Sequence, residues 1–569
     1  MMDHSVTIDI GVQSFEKIRR RKAFYVDKTG FIREWWEGGS DVTLLTRPRR
    51  FGKTLNMSML ECFFSNQYAG RGELFEGLFV WEDEAYRQLQ GTYPVIFLSF
   101  AKVKAQDYKG MEYSITKMLS DVYEQNSFLL EKAILSENEK IYFESIKPGM
   151  DRSVAVEAVN ALSNFLSRYY DRSVIILLDE YDTPMQEAWL SGYWDEAVVF
   201  FRSFFNAAFK TNPYMERALI TGITRISRES IFSDLNNPDV ITTTSNKYAQ
   251  YFGFTEQEVF CALDSMGLGE EKQGIKAWYD GFTFGCVTDI YNPWSITSFI
   301  GNGAKYKTYW ADTSSNGLVN RLLREGSANI KKSFEALLEG EHITVPVDEQ
   351  IVYYQLDEDE NSVWSLLLAS GYVKVISVDD SQIMEGLADE QYELALTNHE
   401  VRRMFARMIR GWFRNSTEVY NEFIKALLED NVKKMNTFMN KVALNTFSFF
   451  DSGNRPSEET EPERFYHGFV LGMVVDLADR YQVRSNRESG YGRYDVMIKP
   501  LDKRERAFIF EFKVLSRDDN ETVLEDTVAN ALRQIEQKKY EAELITDGFA
   551  PENIRKYGFA FEGKKCLIG

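Results

Sequence analysis

Leu44-Leu45-Thr46-Arg47-Pro48-Arg49-Arg50-Phe51-Gly52-Lys53-Thr54 is the stretch on which the reading of this chain turns. An apolar strand, Val42 to Thr46, runs into a loop ending Gly-Lys-Thr, and Leu55, Met59 and Cys62 then mark one face of a helix. That is the layout of a phosphate-binding loop. Backbone N–H groups at a helix N-terminus face the phosphates, a lysine reaches the outer ones, and a hydroxyl meets Mg²⁺. Gly52, Lys53 and Thr54 supply these groups. The full pattern also asks for a glycine five residues before Gly52, where this chain has Arg47. Taken alone, the stretch reads equally well as an exposed basic turn leading into a helix. If the departure is functional, Arg47, Arg49 and Arg50 themselves face the phosphates, with Pro48 stiffening the loop.

A second signal lies downstream, in Val174-Ile175-Ile176-Leu177-Leu178-Asp179-Glu180-Tyr181-Asp182. A buried strand ending in two acids delivers carboxylates to the C-terminal edge of a sheet, where open α/β sheets bind ligands. In nucleotide hydrolases the first acid, here Asp179, holds the Mg²⁺ shell, and the second, here Glu180, polarises the attacking water. The competing reading is a pair of acids capping the next helix. Both motifs occur in the right order, with Pro94 to Phe100 between them as a continuous apolar run of the kind a central parallel strand shows. A fourth strand, Arg217 to Gly222, leads into Ile223-Thr224-Arg225-Ile226-Ser227-Arg228. Thr221 or Thr224, with Arg225 or Arg228, are candidates to sense a γ-phosphate, against a reading of solvated arginines at a strand end. The basic and aromatic arm from residue 15 to 38 reads as packing over the sheet.

At 569 residues the chain is too long for one core. Its 44% hydrophobic content supports packed domains, and its net charge of −20 argues against coating nucleic acid through an overall field. Nucleic-acid contact therefore needs local patches such as Arg19 to Lys22 or Lys503 to Arg506. Cys62, Cys261, Cys286 and Cys566 show no paired spacing, which excludes an ordinary zinc motif and gives no disulfide framework. No apolar run approaches the ~20 residues needed to cross a bilayer, and a soluble, cytoplasmic protein is expected.

The stretch from Asp451 to Pro462 is polar, carries two prolines and has no apolar periodicity, so it reads as a linker. After it, Gly490 to Ile498 and Ala507 to Lys513 flank the turn Leu501 to Arg506 and should form an antiparallel hairpin. With the turn centred between Lys503 and Arg504, Asp495 lies opposite Phe512 and beside Glu511. Alternation puts Glu511 and Lys513 on one face while Phe510 and Phe512 go to the core. Asp495, Glu511 and the Phe512 carbonyl are then candidates to hold Mg²⁺, and Lys513 to orient or deprotonate a water. The competing reading is a salt-bridged hairpin face.

The segments Tyr25 to Thr29, Arg47 to Thr54, Leu178 to Asp182, Phe232 to Asn237, Phe252 to Thr255 and Trp278 to Phe282 resemble those of the bacterial AAA-ATPase-like family. Members commonly carry a C-terminal nuclease-fold domain of the PD-(D/E)XK superfamily. In that family Arg-Pro-Arg-Arg-Phe-Gly-Lys-Thr is the usual loop, so the absent glycine is a family trait. The resemblance implies that Glu463 and Gln534 complete the nuclease site.

The expected fold is α/β. A P-loop ATPase with a parallel sheet flanked by helices and a small helical lid covers residues 1–300. A mainly helical connector covers 301–450, a linker 451–462, and a restriction-endonuclease-like α/β domain 463–569. The expected function is ATP binding and hydrolysis coupled to a metal-dependent nuclease acting on DNA or RNA. The alternative is a nucleotide-controlled interaction switch whose nuclease fold binds nucleic acid or a partner without cleaving it. No membrane partner is expected, and the oligomeric state is open.

Overall fold

The computed structural model describes residues 7–569 except 133, 211, 227–237, 312–316, 349, 352–358, 380–389, 413–416, 451–468, 470, 474, 486–487, 490–491, 494, 518–520 and 563–564. The expected linker and Glu463 therefore lie outside the described residues, as does Arg228. The chain forms two compact units. One comprises Met1–Ser314, Val345–Tyr392 and Thr397–Glu400, and the other Ser315–Thr344, Glu393–Leu396 and Val401–Gly569.

The first unit is built on a five-stranded parallel sheet. Its strands are β1 (Val42–Thr46), β2 (Val95–Ser99), β3 (Val174–Asp179), β4 (Met215–Gly222) and, counting the short β5 (Arg225–Ile226) that lies outside it, β6 (Asp239–Ile241). Their order is β2-β3-β4-β1-β6. β1 and β3 are buried along their whole length, as continuous apolar runs in a parallel sheet require. Thr46 pairs with Gly222, and Ser99 with Asp179. The ends of β1, β4 and β3 therefore stand side by side, and one edge receives both the loop after β1 and the acids after β3.

Helices α1 (Phe15–Arg21), α2 (Gly30–Glu37) and α3 (Lys53–Phe64) close one face of this sheet. Phe15, Phe31, Ile32 and Trp35 from the arm join Met57, Leu60, Phe63 and Phe64 of α3 and Leu45, Ile175, Leu177 and Leu219 of the sheet in one core. Burying each such side chain stabilises the fold by about 1.5–3 kcal/mol. Further on, α4 (Tyr108–Gln125) and α5 (Arg152–Tyr170) start on Asp107 and Asp151, whose carboxylates accept N–H groups of the first turn. They are followed by α6 (Trp194–Phe205), rich in buried phenylalanine, and later by α7 (Pro293–Gly301).

The apolar run at 94–100 reads as a central strand, yet β2 is the sheet edge, with alternating burial and β3 as its neighbour. Its outer residues stay apolar because Val95 and Phe97 pack on the core beneath α3, while the opposite face carries the buried Ile96 and Leu98. Residues Gln350–Ile351 form a short strand of the first unit. It runs parallel to β5.

The second unit holds a mixed five-stranded sheet. It runs β7 (Tyr481–Ser485), β8 (Val496–Pro500), β9 (Ala507–Val514), β10 (Ile554–Glu562) and β11 (Lys565–Ile568), in that order. Only the β9–β10 pair is parallel. Two asparagines one turn apart on α8 (Val432–Phe450) occupy the free edge of β11. Asn436 exchanges hydrogen bonds with both backbone groups of Ile568, at 2.7 and 2.8 Å, and Asn440 does the same for Cys566, at 2.6 and 2.9 Å. The edge's backbone groups are thus satisfied without another strand.

The β8–β9 hairpin is antiparallel as expected, but its register differs by one residue. Val496 pairs with Phe510 and Ile498 with Phe508, so Asp495 falls opposite Glu511, not Phe512. The reason lies at the turn. The Glu505 N–H closes it on the Asp502 carbonyl at 2.9 Å, while the Leu501 N–H goes to the Arg480 carbonyl, also at 2.9 Å. Pro500 has no N–H to give. β8 therefore stays paired with β7 through Pro500, whereas its pairing with β9 ends at Ile498. Both faces of β9 are covered as well. Phe510 and Phe512 stack toward Phe559, with centroids 4.9 and 4.8 Å away, while Ile509 packs with Ile535 of α9 (Leu524–Lys538).

Candidate nucleotide and metal sites

Between β1 and α3 the backbone turns twice through left-handed conformations. Arg50 has φ 66° and Gly52 φ 82°, and nothing stands within 4 Å of where a Cβ on Gly52 would be. The glycine is needed for its backbone conformation, not for space. Arg47 does not face this loop's opening. Its side chain is fully buried and donates to the carbonyls of Thr46 at 3.0 Å, of Thr242, and of Lys247 at 3.4 Å, with the guanidinium 4.5 Å from the Phe284 ring centroid. Where the usual motif has a glycine, this chain has a buried post that ties the loop to the segment after β6. Phe51 anchors the other side, edge-on to Phe282 and Phe284.

Lys53 is buried and its ammonium donates to the loop's own carbonyls, Arg47 at 2.8 Å and Pro48 at 2.9 Å. Burial lowers its pKa, against the opposing charges of Glu180, Asp179 and Asp182. The next residue, Thr54, donates its hydroxyl to Asp179 Oδ2 at 2.7 Å, and Thr221 donates to Asp179 Oδ1 at 2.6 Å. Burial pushes the Asp179 pKa up, and those two hydroxyls hold it down. Strand β3 ends there, and Glu180 takes φ 55°, uncommon for a residue with a side chain. Such outliers concentrate at functional sites. Thr183 holds the Glu180 carboxylate at 3.2 Å.

The loop after β1 and Glu180 open on a cleft of about 400 Å³, in the size range of small-molecule sites, with Asp179 buried behind Thr54. Arg49, Arg50, Gly52, Lys53, Thr54 and Glu180 all line it. The arm lines it too, through Gly11 to Gln13, Phe24 to Val26 and Lys28, with Phe254 and Trp294 completing an aromatic end. Sequence reasoning placed the arm as packing alone, because aromatic runs that form a core and those that line a cleft look the same in one dimension. The Thr224 N–H and hydroxyl both go to Asp182 Oδ2, at 2.9 and 3.1 Å, and Arg225 lies on β5; neither residue lines the cleft. Asp182 was missed as an organiser of this edge. It is buried and also takes the Ile223 N–H at 2.8 Å.

In the second unit, Asp495 stands just before β8 and accepts the Phe512 N–H at 2.7 Å, which fixes its carboxylate beside Glu511. Glu511 is 3% exposed. Its Oε1 accepts from Gln534 on α9, and its Oε2 is buried with no hydrogen-bond partner among the described residues. Burial, reinforced by Asp495, raises the Glu511 pKa to about 8, against the nearby charge of Lys513. Gln534 also donates to the hydroxyl of buried Tyr540 at 3.1 Å, a second support that the sequence reading missed. Asp495, Glu511, Lys513 and Gln534 are thus brought together. No helix among the described residues is long and apolar enough to cross a membrane.

Comparison with known proteins agrees with this geometry. Residues 9–232 match the family described as predicted AAA-ATPase, and residues 461–569 match the PD-(D/E)XK nuclease superfamily. A relative from Azotobacter chroococcum mcd 1, described as an uncharacterized protein in the vnfD 5' region, is 24% identical over 545 residues. That match covers 94% of this chain and 92% of the relative. This polypeptide thus joins an AAA-ATPase-like domain at residues 9–232 to a PD-(D/E)XK nuclease superfamily domain at residues 461–569.

Proposed function

We propose that the chain binds and hydrolyses ATP in the cleft above β1, β3 and β4, and that its C-terminal domain is a metal-dependent nuclease acting on DNA or RNA. The observation that carries the first half is the Thr54–Asp179 contact at 2.7 Å beside Lys53, with Glu180 on the same cleft. A hydroxyl and a carboxylate are the oxygen donors that Mg²⁺ prefers, so the residues present suit that ion. Thr54 and Asp179 would hold the ion, which would supply charge neutralisation at the phosphate oxygens. Lys53 exchanges its two carbonyl partners for phosphate oxygens, and N–H groups at the start of α3 face the same phosphates. Glu180 orients the attacking water and accepts its proton, while Thr221 and Thr54 keep Asp179 in place. Substituting Lys53→Ala or Glu180→Gln tests this half, since each should abolish Mg²⁺-dependent ATP hydrolysis.

The second half is supported by the Glu511 Oε2 oxygen, which is buried beside Asp495 with no hydrogen-bond partner among the described residues. Leaving such an atom unpaired costs about 1–3 kcal/mol, and a bound cation removes that cost. Asp495 and Glu511 would hold the metal, which lowers the pKa of a bound water. Lys513 orients the water, and Gln534 and Tyr540 fix the Glu511 side chain. Loss of Mg²⁺- or Mn²⁺-dependent cleavage in Asp495→Ala, with folding intact, is the test.

A net charge of −20 favours a second reading, in which the nuclease fold binds nucleic acid or a partner without cleavage, because cleaving enzymes need affinity for phosphate backbones. Metal-dependent nicking of a plasmid separates the two.

A further inference from the structure

The cleft is lined by five cationic side chains, Lys28, Arg49, Arg50, Lys53 and Lys104. Four are already engaged. Lys28 pairs with Glu258 at 2.7 Å and donates to the Gln250 carbonyl, and Arg49 donates to Gln186 at 3.2 Å. Arg50 lies 4.3 Å from the Trp294 ring centroid, and Lys53 holds the loop carbonyls. Lys104 is exposed, and among the described residues its ammonium makes no hydrogen bond or ion pair.

Its position follows from the sheet. Ser99 at the end of β2 pairs with Asp179, and the Phe100 N–H continues the ladder to the Asp179 carbonyl at 2.9 Å. The chain then folds back, with the Val103 N–H on the Phe100 carbonyl at 2.9 Å and the Lys104 N–H on the Lys102 carbonyl at 2.9 Å. Lys104 thus follows the end of β2 and lines the same cleft as Glu180, together with Ala101, Thr183 and Ile223. Among the described residues just after β4 none supplies a cation here, since Thr224 is committed to Asp182 and Arg225 does not line the cleft.

We propose that Lys104 contacts the terminal phosphate of a bound nucleoside triphosphate, so that the second cation at that phosphate comes from the same chain. This rests on the nucleotide reading of the cleft. Lys53 approaches the phosphates from α3, and Lys104 approaches from the β2 side. When the bond between the γ-phosphorus and the bridging oxygen breaks, negative charge spreads over the γ-phosphoryl oxygens and the leaving oxygen. An ammonium already facing the γ-phosphoryl group stabilises that charge more than it stabilises the ground state. A diphosphate lacks the group that Lys104 meets.

The test is to measure affinity for ATP and for ADP, each with Mg²⁺, together with kcat and KM, in wild type, Lys104→Ala and Lys104→Arg. Lys104→Ala should weaken ATP binding about tenfold, leave ADP binding unchanged and lower kcat by roughly 100–1,000-fold, the scale of losing one charge-stabilising group. Lys104→Arg should restore most of the ATP preference and turnover. Wild type that binds both nucleotides, with Lys104→Ala keeping the same ATP-to-ADP preference and kcat, overturns the role of Lys104 alone. Wild type that binds neither nucleotide overturns the reading of the cleft, and Lys104 with it.

Discussion

The hydroxyl of Thr54 donates to Asp179 Oδ2 at 2.7 Å although 125 residues separate the two in sequence. Strand β4 stands between their strands and contributes Thr221, which donates to the other oxygen of the same carboxylate at 2.6 Å. Removing that second hydroxyl with Thr221→Val should leave a buried acceptor oxygen unsatisfied and destabilise the first unit by about 1–3 kcal/mol. Denaturant unfolding followed by tryptophan fluorescence measures the loss. ATP turnover should fall with it, because the carboxylate is then free to rotate.

Arg47 gives a sharper contrast. If this position acted on phosphate, Arg47→Gly would merely bring the loop to its usual form. The buried guanidinium instead satisfies backbone carbonyls of Thr46 and Thr242 and packs on Phe284. Arg47→Gly should therefore destabilise the protein by roughly 3 kcal/mol, from orphaned carbonyls, lost packing and added chain entropy. Thermal unfolding checks this, and an unchanged Tm would return Arg47 to the solvated loop.

Glu400 makes stability depend on pH. It is fully buried, accepting from the Ser295 hydroxyl at 2.8 Å and the Trp310 N–H at 2.6 Å, and burial raises its pKa to about 7. A carboxyl whose pKa rises on folding binds its proton more tightly in the folded state. Its contribution is complete below the ordinary glutamate range and is lost as pH rises through about 7. The span from 4.5 to about 7 corresponds to at most about 3.5 kcal/mol at roughly 1.4 kcal/mol per unit. Unfolding free energies of wild type and Glu400→Gln between pH 4.5 and 7.5 should converge at the acid end, with the variant showing the flatter profile. Parallel profiles would remove Glu400 from the account.

The edge of β11 gives a prediction about solubility. Asn440→Leu removes both hydrogen bonds to Cys566 and leaves that part of the edge open to another chain. Light scattering at 37 °C should show faster aggregation than wild type, with about 2 kcal/mol of stability lost as two backbone partners go.

Much of this architecture is legible in the sequence, and the reasons differ by element. β1 with its loop and β3 with Asp179 and Glu180 carry contiguous signals, since a buried parallel strand followed at once by chemistry needs no partner to be recognised. The hairpin holding Asp495 and Glu511 is legible as a hairpin, but its register depends on one Leu501 N–H turning to Arg480, which no local pattern announces. Residues 11–13, the arm that follows them and Lys104 reach the cleft only through the folded chain. β2 reads as central because helices and core cover both its faces, whereas only its pairing shows that it is an edge.

Glu180 is proposed to prepare the water for ATP hydrolysis in the cleft. The most direct measurement is Mg²⁺-dependent ATP hydrolysis by the full chain, wild type beside Glu180→Gln, with ATP affinity measured on both. Wild type should hydrolyse ATP, and Glu180→Gln should bind ATP as tightly while its turnover falls by about 100-fold or more, as expected for loss of a general base. A wild-type protein that binds no ATP, or a Glu180→Gln variant that hydrolyses at the wild-type rate, would contradict it.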